Sequence, residues 1–396
     1  MRYAPVLDAL APLGSAKWEV HYAAQDRARA GREVIDLTIG NPDVATPPDL
    51  VEAAALAMRA GRTTYSSGRG EPGLREVLAA RYSTRAGRPV GADQVLCFPG
   101  TQTALYAVMR GIAEPGTEVI VGDPMYATYE AVVVSSGARV APVPLRPERG
   151  FRFTAEDIDA RVTPRTRAIL LNTPHNPTGA VLRPEDLVAI GEIARRQDLW
   201  IISDEVYEEL VFDGASFASP FDRAELADRT IVVSSISKSH AAPGFRSGWA
   251  VGSAEFAARL LPLSETMLFG NQPFIADMTA AALRAPSTAA AGMRQRFALR
   301  AGVLADRLGQ GALLSVHRPE AGMFALIDIS ATGLTDHAYA FDLLDRTGVA
   351  VMPGASFGHS LSGWVRVALT VPDAVFAEAC DRIAAHSLTL SERRIA

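Results

Sequence analysis

The chain has 396 residues, of which 48% are hydrophobic and 21% charged, and its formal net charge is −5. This length suits two or three domains with a sizeable core, and the mild charge excludes a disordered chain or a basic nucleic-acid-binding face. The first twenty residues contain two prolines and an aspartate where a signal peptide needs an unbroken apolar stretch. We therefore expect a cytoplasmic protein without membrane spans. Cys97 and Cys380 indicate a reducing compartment and lack metal-ligand spacing.

Short apolar runs rich in β-branched residues recur through the first two thirds of the chain. They are QVLCF at 94–98, EVIV at 118–121, AILL at 168–171, LWII at 199–202, TIVV at 230–233 and GWAV at 248–251. Stretches with helical periodicity, such as TALYAVMRGI and PEDLVAIGEIARRQ, separate several of them. This alternation predicts βαβ units, and hence an α/β fold with a mainly parallel central sheet.

A different pattern follows an Ala-rich break near residue 288. The long helical stretch MRQRFALRAGVLADRLG precedes three apparent strands, GMFALIDIS, GVAVMP and WVRVAL, and a helix from Pro372 onward. We therefore predict a large domain over 44–285 and a smaller α+β domain formed by 1–43 with 286–396.

Polar residues follow several predicted strands, where open parallel sheets bind their ligands. After QVLCF, Gly100 permits a tight turn and Thr101 and Gln102 open a helix whose free N–H groups favour an anion such as phosphate. After LWII, we expect Asp204 to lie just past the end of its strand, partly shielded from water, where a carboxylate requires a cationic partner. After AILL, the turn NTPHNPTG can aim Asn176 into the same crevice. Each of these motifs, taken alone, has an ordinary structural alternative. It is a capped helix for the Gly100 loop and for Asp204, and a plain turn for NTPHNPTG.

Lysine is rare in this chain, because only Lys17 and Lys238 occur among 39 basic residues. Lys238 lies four residues beyond the strand TIVV, with Ser235 before it and Arg246 eight residues after it. A primary amine can lose its proton, attack a carbonyl and form a Schiff base, which a guanidinium cannot do. We therefore predict amine chemistry at Lys238, against the alternative of a solvated surface lysine.

Together these motifs resemble the class I/II aminotransferases, which are fold type I enzymes dependent on pyridoxal 5′-phosphate. The order and spacing match from about residue 35 to the end. The resemblance implies catalytic roles for Lys238, which forms the Schiff base and moves the substrate's α-proton, and for Asp204, which pairs with the pyridinium nitrogen. Tyr207, also assigned a catalytic role, and Asn176 would hydrogen-bond the ring's phenolic oxygen. The amino group would pass from an L-amino acid to a 2-oxo acid through pyridoxamine phosphate.

The resemblance also assigns the remaining cofactor and substrate contacts. The phosphate would lie against five residues, Gly100, Thr101, Gln102, Ser235 and Arg246. Tyr126 would stack on the ring and, with Asn176, contact the substrate. Arg366 and Gly40 would bind the substrate's α-carboxylate. Tyr65 would reach the phosphate of the neighbouring subunit, which implies a homodimer with shared active sites.

Departures from the family pattern narrow the substrate. Members specific for dicarboxylates need a second cation, yet this chain has Gln102 in the phosphate loop and no cation in ETMLFGNQPF at 265–274. We expect a basic or neutral amino donor, with Glu19 beside Trp18 as a candidate partner for a cationic side chain, although Arg69 could still serve a dicarboxylate. The alternatives are an aspartate aminotransferase, a pyridoxal-phosphate-dependent carbon–sulfur β-lyase, and a non-enzymatic regulatory module, for which we expect no DNA-binding domain ahead of the fold.

Overall fold

The computed structural model describes residues 1–309, 311 and 313–395, and within them thirteen strands and fourteen helices form. The strands are β1 Ile35–Asp36, β2 Val95–Phe98, β3 Glu118–Asp123, β4 Arg139–Pro144, β5 Thr166–Asn172, β6 Trp200–Asp204, β7 Thr230–Ser235, β8 Gly248–Val251, β9 Ser315–His317, β10 Phe324–Asp328, β11 Val349–Ala350, β12 Met352–Pro353 and β13 Trp364–Ala368. The helices are α1 Pro5–Leu10, α2 Glu19–Arg29, α3 Pro48–Arg59, α4 Pro72–Ala86, α5 Thr101–Ile112, α6 Tyr129–Ser135, α7 Ala155–Asp159, α8 Pro184–Arg196, α9 Ile236–Ser239, α10 Ala254–Met267, α11 Pro273–Ala282, α12 Thr288–Leu308, α13 Asp336–Thr347 and α14 Asp373–Ile395.

A seven-stranded sheet forms the centre of the molecule, with strand order β2-β8-β7-β6-β5-β3-β4. Every neighbouring pair is parallel except the two that involve β8. The six apolar runs of the first two thirds of the sequence all fall on strands of this sheet, so the prediction of an α/β fold with a mainly parallel sheet is confirmed.

The sheet is covered on both faces, which explains why its strands are continuous apolar runs. In β3, Val119 and Val121 pack into one apolar cluster and Ile120 into another. The sequence analysis did not predict β4, which reads RVAPVP. This strand pairs only with β3 at the sheet edge, is largely not buried and contains two prolines, as edge strands tolerate.

A second, antiparallel sheet has the order β12-β13-β10-β9 and carries Arg366 on β13. The stretch GVAVMP, predicted as one strand, is divided between two sheets. β11 pairs in parallel with β1, whereas β12 belongs to the four-stranded sheet. Two-residue pairings of this kind are too short to give a periodic signal in the sequence.

One apolar cluster joins the four-stranded sheet to α12, α13 and α14 and also takes in Val20 and Ala24 of α2. Helix α1 instead contacts α6, beside the central sheet. The division at residues 44 and 285 stays a prediction. Among the described residues, no helix combines the length and apolarity that a membrane span requires.

The carboxyl ends of the parallel strands bring the predicted site residues to one edge of the central sheet. Asn172, Asp204 and Ser235 are the last residues of β5, β6 and β7, which are adjacent in the sheet. Asp204 is still part of β6 and pairs with the neighbouring strands. The expectation that it has already left its strand is therefore wrong. Gly100 follows the end of β2 and precedes α5 at the same edge.

Candidate active site

A cavity of about 220 Å³ lies at this edge and contains all but two of the predicted site residues. The predicted residues that line it are Gly40, Thr101, Gln102, Tyr126, Asn176, Asp204, Tyr207, Ser235, Lys238, Arg246 and Arg366. Gly100 lies directly before Thr101, and Tyr65 lies elsewhere. The cavity also contains residues that the sequence analysis did not assign to the site, among them Tyr129 and Phe324, and Trp18, mentioned there only as the neighbour of Glu19.

Lys238 lies in the short helix α9, directly after β7. The hydroxyl of Ser235 caps this helix by accepting the N–H of Ser237 at 3.3 Å. The Lys238 Nζ donates to the carbonyl oxygen of Gly40 at 2.7 Å. Burial, with smaller contributions from the nearby Arg366 and Arg246, lowers the pKa of Lys238 to about 8. A substantial fraction of this amine is therefore neutral, and thus nucleophilic, in mildly basic solution.

Asp204 is a buried carboxylate held by two hydrogen bonds. Its Oδ2 accepts from the Tyr129 hydroxyl at 2.7 Å, and its Oδ1 accepts from the N–H of Val206 at 3.2 Å. Burial raises the pKa of Asp204 to about 6, although these two bonds oppose the rise. No cation among the described residues forms an ion pair with it. The site thus provides a carboxylate that a cationic ligand group would stabilise.

Arg366 is a buried guanidinium without a carboxylate partner in the described chain. Its Nη1 donates to Asn176 Oδ1 at 3.1 Å and its Nη2 to the Thr38 carbonyl at 2.5 Å. The guanidinium carbon lies 3.8 Å from the ring centre of Phe324 and 4.3 Å from that of Phe357. Burial lowers its pKa to about 9, and its Nε has no hydrogen-bond partner. A planar guanidinium held in this way is suited to bind a carboxylate.

Asn176 connects Arg366 to Tyr207. The Asn176 amide donates to the Tyr207 hydroxyl at 3.4 Å, and its backbone N–H donates to Asn172 Oδ1 at 2.8 Å. Burial raises the pKa of Tyr207, so its hydroxyl keeps its proton and can also donate a hydrogen bond. Tyr126 stands edge-on to Tyr129, with ring centres 5.5 Å apart.

The turn between β2 and α5 forms a cradle for an anion. Gly100 has φ 92°, and a Cβ there would lie 2.1 Å from Arg246 Nη2, so only glycine lets the guanidinium approach this backbone. Arg246 itself has φ 51° and donates to the Pro243 carbonyl at 2.7 Å. The Thr101 hydroxyl oxygen is buried and has no hydrogen-bond partner among the residues that the structure describes. These groups surround the start of α5, where free N–H groups favour negative charge.

Three further sequence hypotheses concern residues that lie outside the cavity lining. Tyr65 is 90% exposed, with its ring 5.8 Å from that of Phe269. The Arg69 guanidinium donates to the Asp93 carbonyl. The Glu19 carboxylate pairs at the surface with His337 at 3.1 Å and is absent from the described cavity lining, so its role as the carboxylate for a cationic substrate stays a prediction.

The comparison with known proteins decides the family. The family described as aminotransferase class I and II matches residues 32–383. The chain belongs to this family. It is 45% identical, over 97% of its own length and 98% of the relative's, to an arginine–pyruvate transaminase of Pseudomonas aeruginosa. It is 35% identical, over 93% and 94%, to an aspartate/prephenate aminotransferase of Cereibacter sphaeroides. A solved aspartate aminotransferase double mutant of Thermus thermophilus covers 97% of this chain and all of its own, with TM-score 0.91 and 32% identity.

Class I and II aminotransferases of this fold depend on pyridoxal 5′-phosphate, and this aminotransferase has the groups that such a cofactor needs. The unpartnered Thr101 hydroxyl and the Gly100–Arg246 cradle fit a phosphate. The unpaired carboxylate of Asp204 fits a protonated ring nitrogen, and the Lys238 amine lies in the same cavity to meet an aldehyde. The residues present therefore fit the cofactor.

The turn that carries Asp204 and Tyr207 is also held by ion pairs with α4, which the sequence analysis missed. Arg85 of α4 binds Glu205 at 2.9 Å and Glu208 at 2.6 Å. These two carboxylates lie on either side of Tyr207 in the sequence. Glu205 is fully buried, and burial raises its pKa to about 7. No local signal could have revealed this pairing, because its partners lie more than a hundred residues apart in sequence.

Proposed function

We propose that this aminotransferase takes its amino group from arginine or another amino acid with a basic or neutral side chain, and that pyruvate is its acceptor. The observation that carries this proposal is the number of cations in the cavity. Among the described residues that line it, only Lys238, Arg246 and Arg366 are cationic. If Lys238 and Arg246 serve the cofactor, Arg366 alone remains for carboxylates, so a dicarboxylate donor lacks a second partner. The 45% identity to an arginine–pyruvate transaminase supports the same conclusion.

The donors and acceptors of the cavity support the cofactor-binding roles proposed for them. Gly100, Thr101, Gln102, Ser235 and Arg246 would hold the phosphate. Asp204 would keep the ring nitrogen protonated, Tyr207 and Asn176 would hydrogen-bond the phenolic oxygen, and Tyr126 would pack against the ring. When bound, pyridoxal 5′-phosphate supplies an aldehyde that condenses with amines and a ring that withdraws electrons from the substrate's α-carbon.

Lys238 first holds the cofactor and then acts as the base. Its pKa of about 8 leaves about a tenth of the free amine neutral at pH 7 and about half at pH 8, and the neutral Nζ would remove the proton from the donor's α-carbon. Burial, together with the nearby guanidinium groups of Arg366 and Arg246, favours this neutral form. A base whose pKa lies close to the working pH is the most efficient for this task.

Arg366 orients the substrate through its α-carboxylate. The guanidinium already has two fixed acceptors, Asn176 Oδ1 and the Thr38 carbonyl, and two aromatic rings fix its plane. Little rotational freedom is therefore lost when a carboxylate binds. The backbone N–H of Gly40, a residue that also lines the cavity, would donate a second hydrogen bond to this carboxylate.

The proposal includes a homodimer with shared active sites and a cytoplasmic location. Tyr65 and Phe269 are large exposed aromatic residues, which suit a surface covered by a second copy of the chain. Tyr65 would then bind the phosphate in the partner's cavity. Cys97 and Cys380 are both free and buried, which agrees with a reducing compartment.

A donor and acceptor screen tests the substrate proposal. Purified holoenzyme is assayed with arginine, lysine, alanine, aspartate and cysteine, each with pyruvate or 2-oxoglutarate as acceptor, and Lys238→Ala serves as the blank. We expect arginine with pyruvate to give the highest kcat/KM. Fast transamination of aspartate with inert arginine would contradict the proposal. Release of ammonia and pyruvate from cysteine without an acceptor would indicate a β-lyase instead.

A further inference from the structure

A cationic donor side chain meets an electrostatic problem in this cavity. The lining contains three cations and, among the described residues, a single carboxylate, Asp204. That carboxylate is bonded to Tyr129 and is assigned to the cofactor. Glu19, the acid nearest in sequence to the cavity's Trp18, pairs with His337 at the surface. A guanidinium that enters the cavity therefore finds no free carboxylate of this chain.

The aromatic lining offers another way to bind a cation, since the face of an indole ring attracts positive charge. Four of the five aromatic residues of the lining are engaged or assigned: Phe324 stacks on Arg366, Tyr129 bonds Asp204, Tyr207 bonds Asn176, and Tyr126 is assigned to the cofactor ring. The fifth is Trp18. Within the described part of the chain, no ring or cation stacks on its indole.

Trp18 is held in place from two sides. It ends a short 3₁₀ turn, Ser15–Trp18, and packs against an apolar cluster that includes Ala127 and Phe357. The preceding residue, Lys17, donates from Nζ to Glu130 Oε2 at 3.1 Å and to the Ala127 carbonyl at 3.4 Å. The Lys17 carbonyl accepts from the Ser356 hydroxyl at 3.0 Å. The indole is thus preorganised rather than free to move with the N-terminal segment.

Trp18 and Arg366 line the same cavity. The guanidinium carbon of Arg366 lies 4.3 Å from the ring centre of Phe357. A donor whose α-carboxylate lies on Arg366 therefore extends its side chain in a cavity of which Trp18 forms one wall.

We infer that Trp18 is the specificity-determining residue for a basic donor, binding its side-chain cation on the indole face, with Lys17 as the positioning residue that holds it. This inference rests on the proposed function, because it presumes a cationic donor. It also gives the second lysine of the chain a structural role: its amine joins the N-terminal turn to α6.

Arginine and citrulline provide the test, because they have nearly the same shape and differ in side-chain charge. The ratio of their kcat/KM values is measured with pyruvate for the wild-type holoenzyme and for Trp18→Leu and Trp18→Phe, with alanine as the donor that lacks the cation. We expect Trp18→Leu to lower the arginine-to-citrulline ratio by about threefold to thirtyfold, the range of cation–π interactions. Trp18→Phe should give a smaller loss, and in both variants kcat/KM should fall further for arginine than for alanine.

A binding measurement separates recognition from chemistry. The desamino analogues of arginine and citrulline cannot react, so calorimetry on the holoenzyme reports their affinity directly, and Trp18→Leu should lower the affinity of the arginine analogue alone. Lys17→Met should show the same loss in weaker form, and Lys17→Arg should restore the wild-type ratio.

The outcomes distinguish this inference from the proposed function. If the wild-type enzyme uses alanine or aspartate but not arginine, the proposed donor is wrong. If it prefers arginine but Trp18→Leu leaves both the kinetic ratio and the binding of the analogues unchanged, the assignment of Trp18 is wrong. A wild-type enzyme that treats arginine and citrulline alike also overturns the assignment, while arginine as donor would stand.

Discussion

Replacing Asp204 by asparagine keeps the shape of the side chain and removes its charge. Burial raises the pKa of Asp204 from 3.8 to about 6, so the carboxyl is still mostly ionised at neutral pH before the cofactor binds. The cost of burying this charge is therefore met on folding and not on cofactor binding. A contact with a protonated ring nitrogen at about 4 Å would contribute about 4 kcal/mol at an effective dielectric constant near 20.

We therefore expect Asp204→Asn to bind the cofactor up to about 1000-fold more weakly, and to lose activity even when the cofactor is saturating. The full interaction of about 4 kcal/mol acts on the protonation of the ring nitrogen, which corresponds to about three orders of magnitude in that equilibrium. At saturating cofactor, kcat should fall about 100-fold to 1000-fold.

The assay measures cofactor affinity by titration of the apoenzyme and kcat at full occupancy. Tyr129→Phe is the matched control, because it removes one hydrogen bond to the same carboxylate and leaves the charge. It should lower kcat by less than tenfold. The reasoning is refuted if Asp204→Asn, with cofactor bound, keeps kcat within tenfold of the wild type.

Two further substitutions and one pH profile test other residues in and near the site. Arg366→Lys loses the planar fork, so we expect KM for the amino donor to rise about 100-fold with a smaller change in kcat, and an unchanged KM would contradict the role. Arg85→Met leaves Glu205 buried without its cation and should lower the free energy of unfolding by about 3–5 kcal/mol. The pKa of Glu205 in the folded state is raised to about 7, so the loss of unfolding free energy in this variant should grow as pH rises through 7. Chemical denaturation at pH 5 and pH 8 measures this loss, and equal losses at the two pH values would refute the prediction. Only neutral Lys238 is nucleophilic, and its pKa is about 8. Covalent cofactor capture by the apoenzyme, followed by stopped-flow absorbance, should therefore accelerate about tenfold per pH unit below pH 8 and level off above it. A rate that does not change with pH would contradict that pKa.

The central sheet could be predicted because parallel strands that are buried on both faces leave continuous apolar runs, and these runs also reveal where each strand ends. Asp204 and Lys238 were found by their position at those ends, and the structure brings them into one cavity. The edge strand β4 gave no such signal, since most of its residues are not buried and prolines interrupt it. The other edge strand, β2, is fully buried and was predicted, so burial rather than position in the sheet decides which strands the sequence reveals.

Residues that complete the site from other parts of the chain could not be found in this way. Tyr129 reaches Asp204 from 75 positions away, and Trp18 enters the cavity from the N-terminal turn. Trp18 follows no strand of the central sheet, and Tyr129 lies six residues beyond the end of β3, at the start of α6. Glu19 seemed the better candidate for a cation because sequence analysis weighs formal charge, yet its carboxylate turns to His337. Only the folded structure shows that Trp18 lines the cavity whereas the neighbouring Glu19 does not.

The rarity of lysine makes one measurement decisive for the role of Lys238. Reduction of the holoenzyme with borohydride fixes the cofactor to the amine that holds it, and peptide mass spectrometry then locates the modified residue. Only two lysines can carry the label, and they lie far apart in the sequence. We predict complete labelling of Lys238 and none of Lys17. Labelling of Lys17, or full occupancy by cofactor with neither lysine modified, would contradict the account.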